Sequence, residues 1–136
     1  MKPLTILIAD DEPDDLEFLT FLFNSNESFE IVGSLSSGKQ VLEEILGKRN
    51  IPDILLIDRY MPEITGIEVV ELLLEAGTMP NLFIFLISST VHSPTQQKYQ
   101  DHPRVNFLLK PSNLIEKNDL PGLLLDSMNF ENHNKI

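Results

Sequence analysis

The chain has 136 residues, of which 42% are hydrophobic and 23% charged, a composition that fits one soluble domain with its own core. Its formal net charge of −11, with no run of Lys or Arg, argues against direct binding to the phosphate backbone of a nucleic acid. The absence of cysteine excludes disulfides, thiolate nucleophiles and Cys-based zinc sites.

Five short runs rich in Ile, Leu, Val and Phe predict β-strands. They are Leu4–Ala9, Phe29–Leu35, Ile54–Ile57, Leu82–Ile87 and Val105–Leu109. Three of the runs are nearly continuous, which is typical of strands buried on both faces of a parallel sheet. The first run is too short for a signal peptide, and no stretch approaches the roughly 20 apolar residues of a membrane span. We therefore expect a cytoplasmic protein without membrane insertion.

A stretch with the apolar spacing of a helix follows each run. The predicted helix starts carry residues that favour a first turn, namely Pro13, Ser37, Ser93-Pro94 and Asp119. Gly47 and Gly77 are predicted to end the second and third helices. The fourth helix has the least apolar pattern, because Thr95 to Gln100 is mostly polar.

This alternation predicts an α/β fold in which a doubly wound, five-stranded parallel sheet carries helices on both faces. Right-handed crossovers favour a flavodoxin-like (βα)5 arrangement with strand order 2-1-3-4-5. We expect one domain over residues 1–130 and a polar tail over residues 131–136.

Polar residues stand where the predicted strands end. Asp10-Asp11 follows the first strand, Asp58 the third, Ser88 the fourth and Lys110-Pro111 the fifth. The carboxyl ends of parallel strands share one edge of the sheet, where ligands bind near the point at which the strand order reverses. We therefore expect three carboxylates, a hydroxyl and an ammonium group to converge at that edge. Ser89 or Thr90 could supply the hydroxyl instead if the fourth strand ended later.

Three carboxylates in one small pocket repel one another unless a cation lies between them. Oxygen ligands suit a hard ion, and Mg²⁺ commonly takes one or two carboxylates together with a phosphate. A carboxylate can also act as a nucleophile and form an aspartyl phosphate. The pattern therefore indicates phosphoryl chemistry with Mg²⁺ as cofactor, in which Lys110 would neutralise charge on the transferring group.

Four motifs, in this order along the chain, resemble those of the response regulator receiver domain. They are Ala9-Asp10-Asp11-Glu12-Pro13, Asp58-Arg59-Tyr60-Met61-Pro62 with Gly66, Ser88, and Phe107 with Lys110-Pro111. The resemblance implies that Asp58 is the phosphoacceptor. It also implies that Asp11 binds Mg²⁺ directly, that Asp10 helps through water, and that the backbone carbonyl of Tyr60 is a further ligand.

The same resemblance implies the remaining roles. Lys110 would pair with the phosphoryl group, Ser88 would hydrogen-bond to it, and Phe107 would rotate inward as a switch. A cis peptide bond would precede Pro111, and Gly66 would permit a close approach at the start of the third helix. Ser88 replaces the more usual threonine, and the segment from Ser112 to Asn118 is longer than expected.

The implied function is a phosphoacceptor switch of a two-component system or phosphorelay. A sensor histidine kinase or a histidine phosphotransfer protein would donate, and the face formed by the fourth helix, fifth strand and fifth helix would bind a downstream protein. The chain is expected to stand alone, without an output domain, and to turn over no substrate beyond its own phosphoryl group. Relay intermediate and output switch both remain open, and Tyr60 and Thr90 are predicted to influence the phosphoryl lifetime.

Three alternatives stay open. A receiver that is never phosphorylated would serve as a scaffold. A phosphatase of the haloacid dehalogenase type would need a second acid two residues after its nucleophile, where this chain has Tyr60. A flavin-binding protein would need a hydroxyl- and glycine-rich loop after the first strand, where acidic Asp10-Asp11-Glu12 would repel the flavin phosphate.

Overall fold

The computed structural model describes residues 2–47, 51–77, 81–88, 97–99, 101–109 and 119–128. Within these ranges five strands and three complete helices follow one another as β1 Leu4–Ala9, α1 Pro13–Asn24, β2 Phe29–Leu35, α2 Gly38–Leu46, β3 Ile54–Asp58, α3 Gly66–Ala76, β4 Phe83–Ser88 and β5 Val105–Leu109. Residues 119–128 form the last described helix. Most of the predicted fourth helix and the predicted tail over residues 131–136 lie outside the described residues.

The five strands form one parallel sheet in the order β2-β1-β3-β4-β5, which confirms the predicted fold class. β1 lies between β2 and β3, and the register of β1 with β3 ends at the pair Ala9 and Ile57. The next residues, Asp10 and Asp58, therefore lie side by side at the carboxyl-terminal edge of these two strands. On the far side of β3, Asp58 is paired with Ile87 of β4.

The core consists of two apolar layers, one on each face of the sheet. Side chains alternate along a strand, so Leu7 and Leu55 face one layer while Ile6 and Leu56 face the other. The first layer includes residues of α2 and α3, and the second includes residues of α1 and the last helix. Strands buried on both faces explain the continuous apolar runs in the sequence.

Three strand ends, on β3 and β4, differ by one residue from the predicted ones. β3 includes Asp58, and β4 starts at Phe83 and ends with Ser88. In both strands pairing with the neighbouring strand continues to a polar residue, since Asp58 pairs with Ile87 and Ser88 with Leu109. The polar residues are thus held by the sheet itself and not by a following loop.

The helix ends follow the predicted capping residues. Ser37 caps α2 by accepting a hydrogen bond from the backbone N–H of Gln40, and α3 ends at Gly77 in the left-handed conformation (φ 64°). Gly47 also ends α2, but with φ −72°, a conformation open to any residue. Thr65 and Glu68 form a reciprocal capping box at the start of α3, which the sequence analysis did not predict.

A polar clasp joins β1 to the segment before β3 at the amino-terminal edge of the sheet. The backbone N–H and hydroxyl of Thr5 donate to Asp53 Oδ2 at 2.9 and 3.1 Å, and the Asp53 N–H donates to the Thr5 hydroxyl at 2.8 Å.

We expect Asp53→Ala to lower the free energy of unfolding by about 1–2 kcal/mol, because three hydrogen bonds lose a partner or their geometry. Urea unfolding measures this loss, and a Thr5→Val, Asp53→Ala double variant should lose less than the sum of the single variants. Additive losses would contradict the clasp.

Candidate functional site

Three carboxylates meet at the carboxyl-terminal edge of β1 and β3. One oxygen from each of Asp10, Asp11 and Asp58 lies within 4.8 Å of the others. Asp10 is 1% exposed and Asp58 8% exposed, whereas Asp11 is exposed to solvent. The pairing of β1 with β3 produces this arrangement, because Asp10 and Asp58 directly follow the last paired residues, Ala9 and Ile57. The structure thus brings together the three acids that the sequence analysis singled out.

Backbone hydrogen bonds hold Asp10 in place. Its N–H donates to the carbonyl of Leu35 at 3.1 Å, extending the contact of β1 with β2. Its side-chain oxygen Oδ1 accepts a hydrogen bond from the N–H of Glu12 at 3.0 Å, which shapes the turn into α1. One oxygen of Asp10 is therefore engaged by the backbone, and this fits a less direct part for Asp10 than for Asp11.

The backbone on either side of Arg59 fixes the loop after Asp58. The Arg59 N–H donates to the carbonyl of Ile87 on β4, and its carbonyl accepts from the N–H of Gly66 at the start of α3, both at 2.8 Å. A Cβ atom at Gly66 would overlap the carbonyl oxygen of Asp58 and would lie 3.0 and 3.1 Å from Asp58 C and Arg59 Cα. The predicted close approach at Gly66 is confirmed, and its neighbour is the backbone of Asp58 itself.

The loop also contains a strained residue that the sequence analysis missed. Glu63 has φ 69°, and the Ile64 N–H donates to the Pro62 carbonyl at 2.8 Å. A hydrogen bond across a single residue with positive φ is a γ-turn of the rare, strained type. Such a conformation costs about 1–3 kcal/mol and persists only where the surrounding structure enforces it. The sequence carries no simple signal for this turn, because glycine is the usual residue at a position with positive φ and this chain has Glu63 there.

The other predicted site residues that the structure describes differ in how deeply they are buried. Ser88 ends β4 and is 4% exposed, one residue beyond the partner of Asp58. Tyr60 is 53% exposed beside the site, and the guanidinium carbon of Arg59 lies 5.0 Å from the centre of its ring. Phe107 is half-buried on β5 and packs against the layer that contains α2 and α3. Its rotation stays a prediction, since packing of this kind also suits an ordinary core residue.

Several predicted residues lie outside the described part of the chain. These are Lys110, Pro111 with its cis peptide bond, the alternative hydroxyls Ser89 and Thr90, and the segment Ser112 to Asn118. β5 is described up to Leu109, which pairs with Ser88. The strand therefore leads to the edge where the acids meet, and the role of Lys110 stays a prediction.

The three acids fit a divalent cation by their chemistry. They supply oxygen ligands within the spread that one ion can bridge, and two of them are buried where their mutual repulsion is poorly screened. A hard ion such as Mg²⁺ would be held by Asp11 and Asp58, with Asp10 behind them. Bound there, it would supply positive charge next to Asp58.

Comparison with known proteins identifies the family. The profile of the response regulator receiver domain matches residues 6–119. The chain belongs to this family. Receiver domains are the phosphorylated modules of two-component systems, and all four motifs of the sequence resemblance begin within the matched part.

Receiver domains of known structure share the fold. The signal receiver domain of the putative response regulator NarL from Mycobacterium tuberculosis is 25% identical with a TM-score of 0.73, covering 93% of this chain and 98% of that one. The response regulator domain of Thermotoga maritima CheB is 21% identical with a TM-score of 0.75, covering 96% and 97%. At that identity the second likeness shows the fold alone.

Curated relatives are longer proteins. A protein-glutamate methylesterase/protein-glutamine glutaminase of Syntrophomonas wolfei is 29% identical over 112 residues, which cover 81% of this receiver domain and 30% of the relative. The nitrate/nitrite response regulator protein NarL of Escherichia coli is 31% identical over 88 residues, which cover 65% and 40%. The receiver domain thus matches less than half of these proteins. In its described ranges, no helix is long and apolar enough to cross a membrane.

Mg²⁺ is expected to stabilise this receiver domain through the three acids. With Mg²⁺ at about ten times its Kd, the gain of about 1.4 kcal/mol should raise the midpoint of thermal unfolding by about 4 °C. Asp11→Asn should remove most of this rise. Asp14→Asn, which neutralises a nearby carboxylate of α1 outside the cluster, should retain it. An equal rise in both variants would place the ion elsewhere.

Proposed function

We propose that the chain is a phosphoacceptor switch in which Asp58 receives a phosphoryl group from a phosphohistidine. The observation that carries this proposal is the convergence of Asp10, Asp11 and Asp58 at the end of β3, within a fold whose family performs this chemistry. The backbone of Asp58 is held in place, since Asp58 is paired within the sheet and its carbonyl packs against Gly66. A nucleophile held in this way loses little freedom on reaching the transition state.

The transfer is an in-line displacement at phosphorus. A carboxylate oxygen of Asp58 forms the new O–P bond while the N–P bond of the donor histidine breaks, and the imidazole leaves with its electron pair. Asp11 and Asp58 would hold Mg²⁺, with the Tyr60 carbonyl as a further ligand, and Lys110 would neutralise charge on the phosphoryl oxygens. Positioning and charge neutralisation carry most of such a reaction.

The switch would act through the neighbouring strands. The phosphoryl group adds charge and hydrogen-bond acceptors beside Ser88, which is the last residue of β4 and pairs with Leu109 of β5. Phe107 lies two residues earlier on β5, next to Leu86 of β4. Leu109 of β5 and Leu123 of the last helix each expose an apolar side chain, and we propose that a protein partner binds near the end of β5. A downstream protein would bind there, or a second histidine protein would take the phosphoryl group on.

The alternatives fare less well against these observations. A phosphatase acting on external esters would need an acid where this chain has Tyr60. The Tyr60 ring stacks with Arg59. A scaffold that is never phosphorylated would have no use for three carboxylates held at one point. Turnover of a phosphate ester would restore the first alternative, and failure to phosphorylate under any donor would restore the second.

Intact mass spectrometry tests the proposal directly. The chain is incubated with acetyl phosphate and Mg²⁺, and we expect a mass increase of one phosphoryl group that is lost when Mg²⁺ is chelated beforehand. Small donors can label a receiver slowly. The test is therefore repeated with a cognate kinase or phosphotransfer protein as donor, and with beryllofluoride, whose binding is followed by NMR. Absence of any adduct or beryllofluoride response would reject the switch and favour the scaffold.

Tyr60 is expected to set the lifetime of the phosphoryl group. Its half-exposed ring lies two residues after Asp58, where it borders the approach of the water that hydrolyses the aspartyl phosphate. We expect Tyr60→Ala to shorten the half-life at least about threefold. A threefold change corresponds to less than about 1 kcal/mol in the activation free energy of hydrolysis. Loss of the adduct over time, followed by intact mass, measures this, and Thr90→Ala should also change it. Unchanged decay in both variants would refute the prediction.

A further inference from the structure

We infer that Arg59 is a positioning residue that holds the Tyr60 ring in place and thereby controls hydrolysis at Asp58. The inference rests on the proposed phosphorylation of Asp58 and adds a residue to it. The contact behind it joins neighbouring residues of the loop that leaves β3. The guanidinium carbon of Arg59 lies 5.0 Å from the centre of the Tyr60 ring, within the range of a cation–π contact.

The backbone of Arg59 is fixed, so its side chain starts from a defined point. Hydrogen bonds of 2.8 Å tie its N–H to Ile87 of β4 and its carbonyl to Gly66 of α3. Its side chain is half-buried, and its Nε atom is inaccessible to solvent. A half-buried guanidinium on an anchored backbone has few other positions, and this is the condition under which a stacked contact can orient its partner.

Tyr60, in contrast, depends on that contact for its orientation. It is 53% exposed, and it does not belong to either apolar layer of the core. An exposed tyrosine without core packing samples several side-chain rotamers, and a cation over its face favours one of them. Arg59 therefore favours one position of the Tyr60 ring, two residues after Asp58.

The step that this position controls is hydrolysis. Water attacks phosphorus, the bond from phosphorus to the Asp58 oxygen breaks, and inorganic phosphate and the free carboxylate are released with one proton. The ring of Tyr60 borders the path of that water, so a ring that moves away exposes the phosphoryl group. Arg59 thus acts through Tyr60 and not by contact with the reacting atoms.

A double-mutant cycle tests the inference. Adduct decay is followed by intact mass at saturating Mg²⁺ in wild type, Arg59→Met, Tyr60→Ala and the double variant. We expect Arg59→Met to shorten the half-life about two- to fivefold, the range that a cation–π contact of this kind can supply. In the Tyr60→Ala background, Arg59→Met should change nothing further. Tyr60→Phe should behave as wild type, because the ring and not the hydroxyl is held.

The chain offers a matched control at the other end of the sheet. Arg104 stacks on Phe83 with the same 5.0 Å separation, but at the amino-terminal ends of β4 and β5. Arg104→Met removes an equivalent contact and one positive charge, and it should leave the half-life unchanged. Arg59→Lys should recover only part of the wild-type half-life, because an ammonium group keeps the charge but lacks the planar guanidinium that stacks on the ring.

The remaining outcomes distinguish failure of the inference about Arg59 from failure of the proposed function. If the adduct forms in every variant and Arg59→Met shortens its half-life equally with and without the Tyr60 ring, Arg59 acts by its charge and the inference is wrong. An Arg59→Met variant that decays as wild type would also overturn it. If wild type forms no adduct with any donor, the proposed function fails, and the orientation of Tyr60 can then be measured alone from its ring NMR shifts in wild type and Arg59→Met.

Discussion

Asp58→Asn is expected to abolish the phosphoryl adduct completely. An amide has no carboxylate oxygen to form an acyl phosphate, so the nucleophile itself is removed while the size of the side chain is kept. Neither remaining acid can substitute at the same position, because Asp10 is 1% exposed with one oxygen engaged by the Glu12 N–H, and Asp11 lies outside the strand ends. Intact mass after incubation with acetyl phosphate and Mg²⁺ measures the effect.

Two controls make this loss interpretable. Asp101→Asn neutralises an exposed carboxylate outside the acid cluster and should label as wild type. Thermal unfolding of Asp58→Asn should show a folded protein with a weakened response to Mg²⁺, since one ligand of the cluster has become an amide. An adduct of equal yield in Asp58→Asn would mean that another residue accepts the phosphoryl group, and peptide mapping would then locate it.

Gly66→Ala is expected to be the most damaging small substitution in the described part of the chain. The added methyl group would overlap the carbonyl oxygen of Asp58, and backbone cannot give way as a flexible side chain can. Either α3 moves away from the sheet or Asp58 moves within it. We expect a loss of about 2–3 kcal/mol in the free energy of unfolding and a strong loss of labelling at Asp58.

The same chemical change at Gly122 provides the control. Nothing lies within 4 Å of a Cβ atom at Gly122, which stands in the last helix. Gly122→Ala should therefore raise the free energy of unfolding by up to about 1 kcal/mol, since alanine favours the helix more than glycine does. Urea unfolding and labelling yield are compared for both variants. Similar effects at the two positions would show that the contact with Asp58 carries no special cost.

The sheet could be predicted from the sequence because its signals are strong and repeated. Runs such as Ile54–Ile57 must be buried on both faces, and the alternation with helical patterns leaves parallel pairing as the solution. From that topology the meeting of Asp10, Asp11 and Asp58 followed directly, because parallel strands end at a common edge. The one-residue differences at β3 and β4 arose because a polar residue at a strand end can still pair with its neighbour.

The details of the loop after β3 could not be predicted in the same way. The γ-turn at Glu63 runs against residue preference, and it persists only because the folded chain around it enforces the conformation. The stacking of Arg59 on Tyr60 depends on two rotamers and on the anchoring of the backbone to Ile87. Periodicity carries no information on either. The likeness to a family identified which residues matter in this loop, but not how they touch.

The place of β1 between β2 and β3 also determines when the sheet can form during synthesis. β1 is the first strand to leave the ribosome, yet its partners are β2 and β3, and its pairing with β3 ends beside Asp58. Every pairing in this sheet is parallel and joins segments far apart in sequence, so early local structure gains little. Ile6, Leu7 and Ile8 of the nascent chain must therefore be kept from aggregating until β3 has been synthesised. Binding of a chaperone to β1 would compete with the pairing that brings Asp10, Asp11 and Asp58 together.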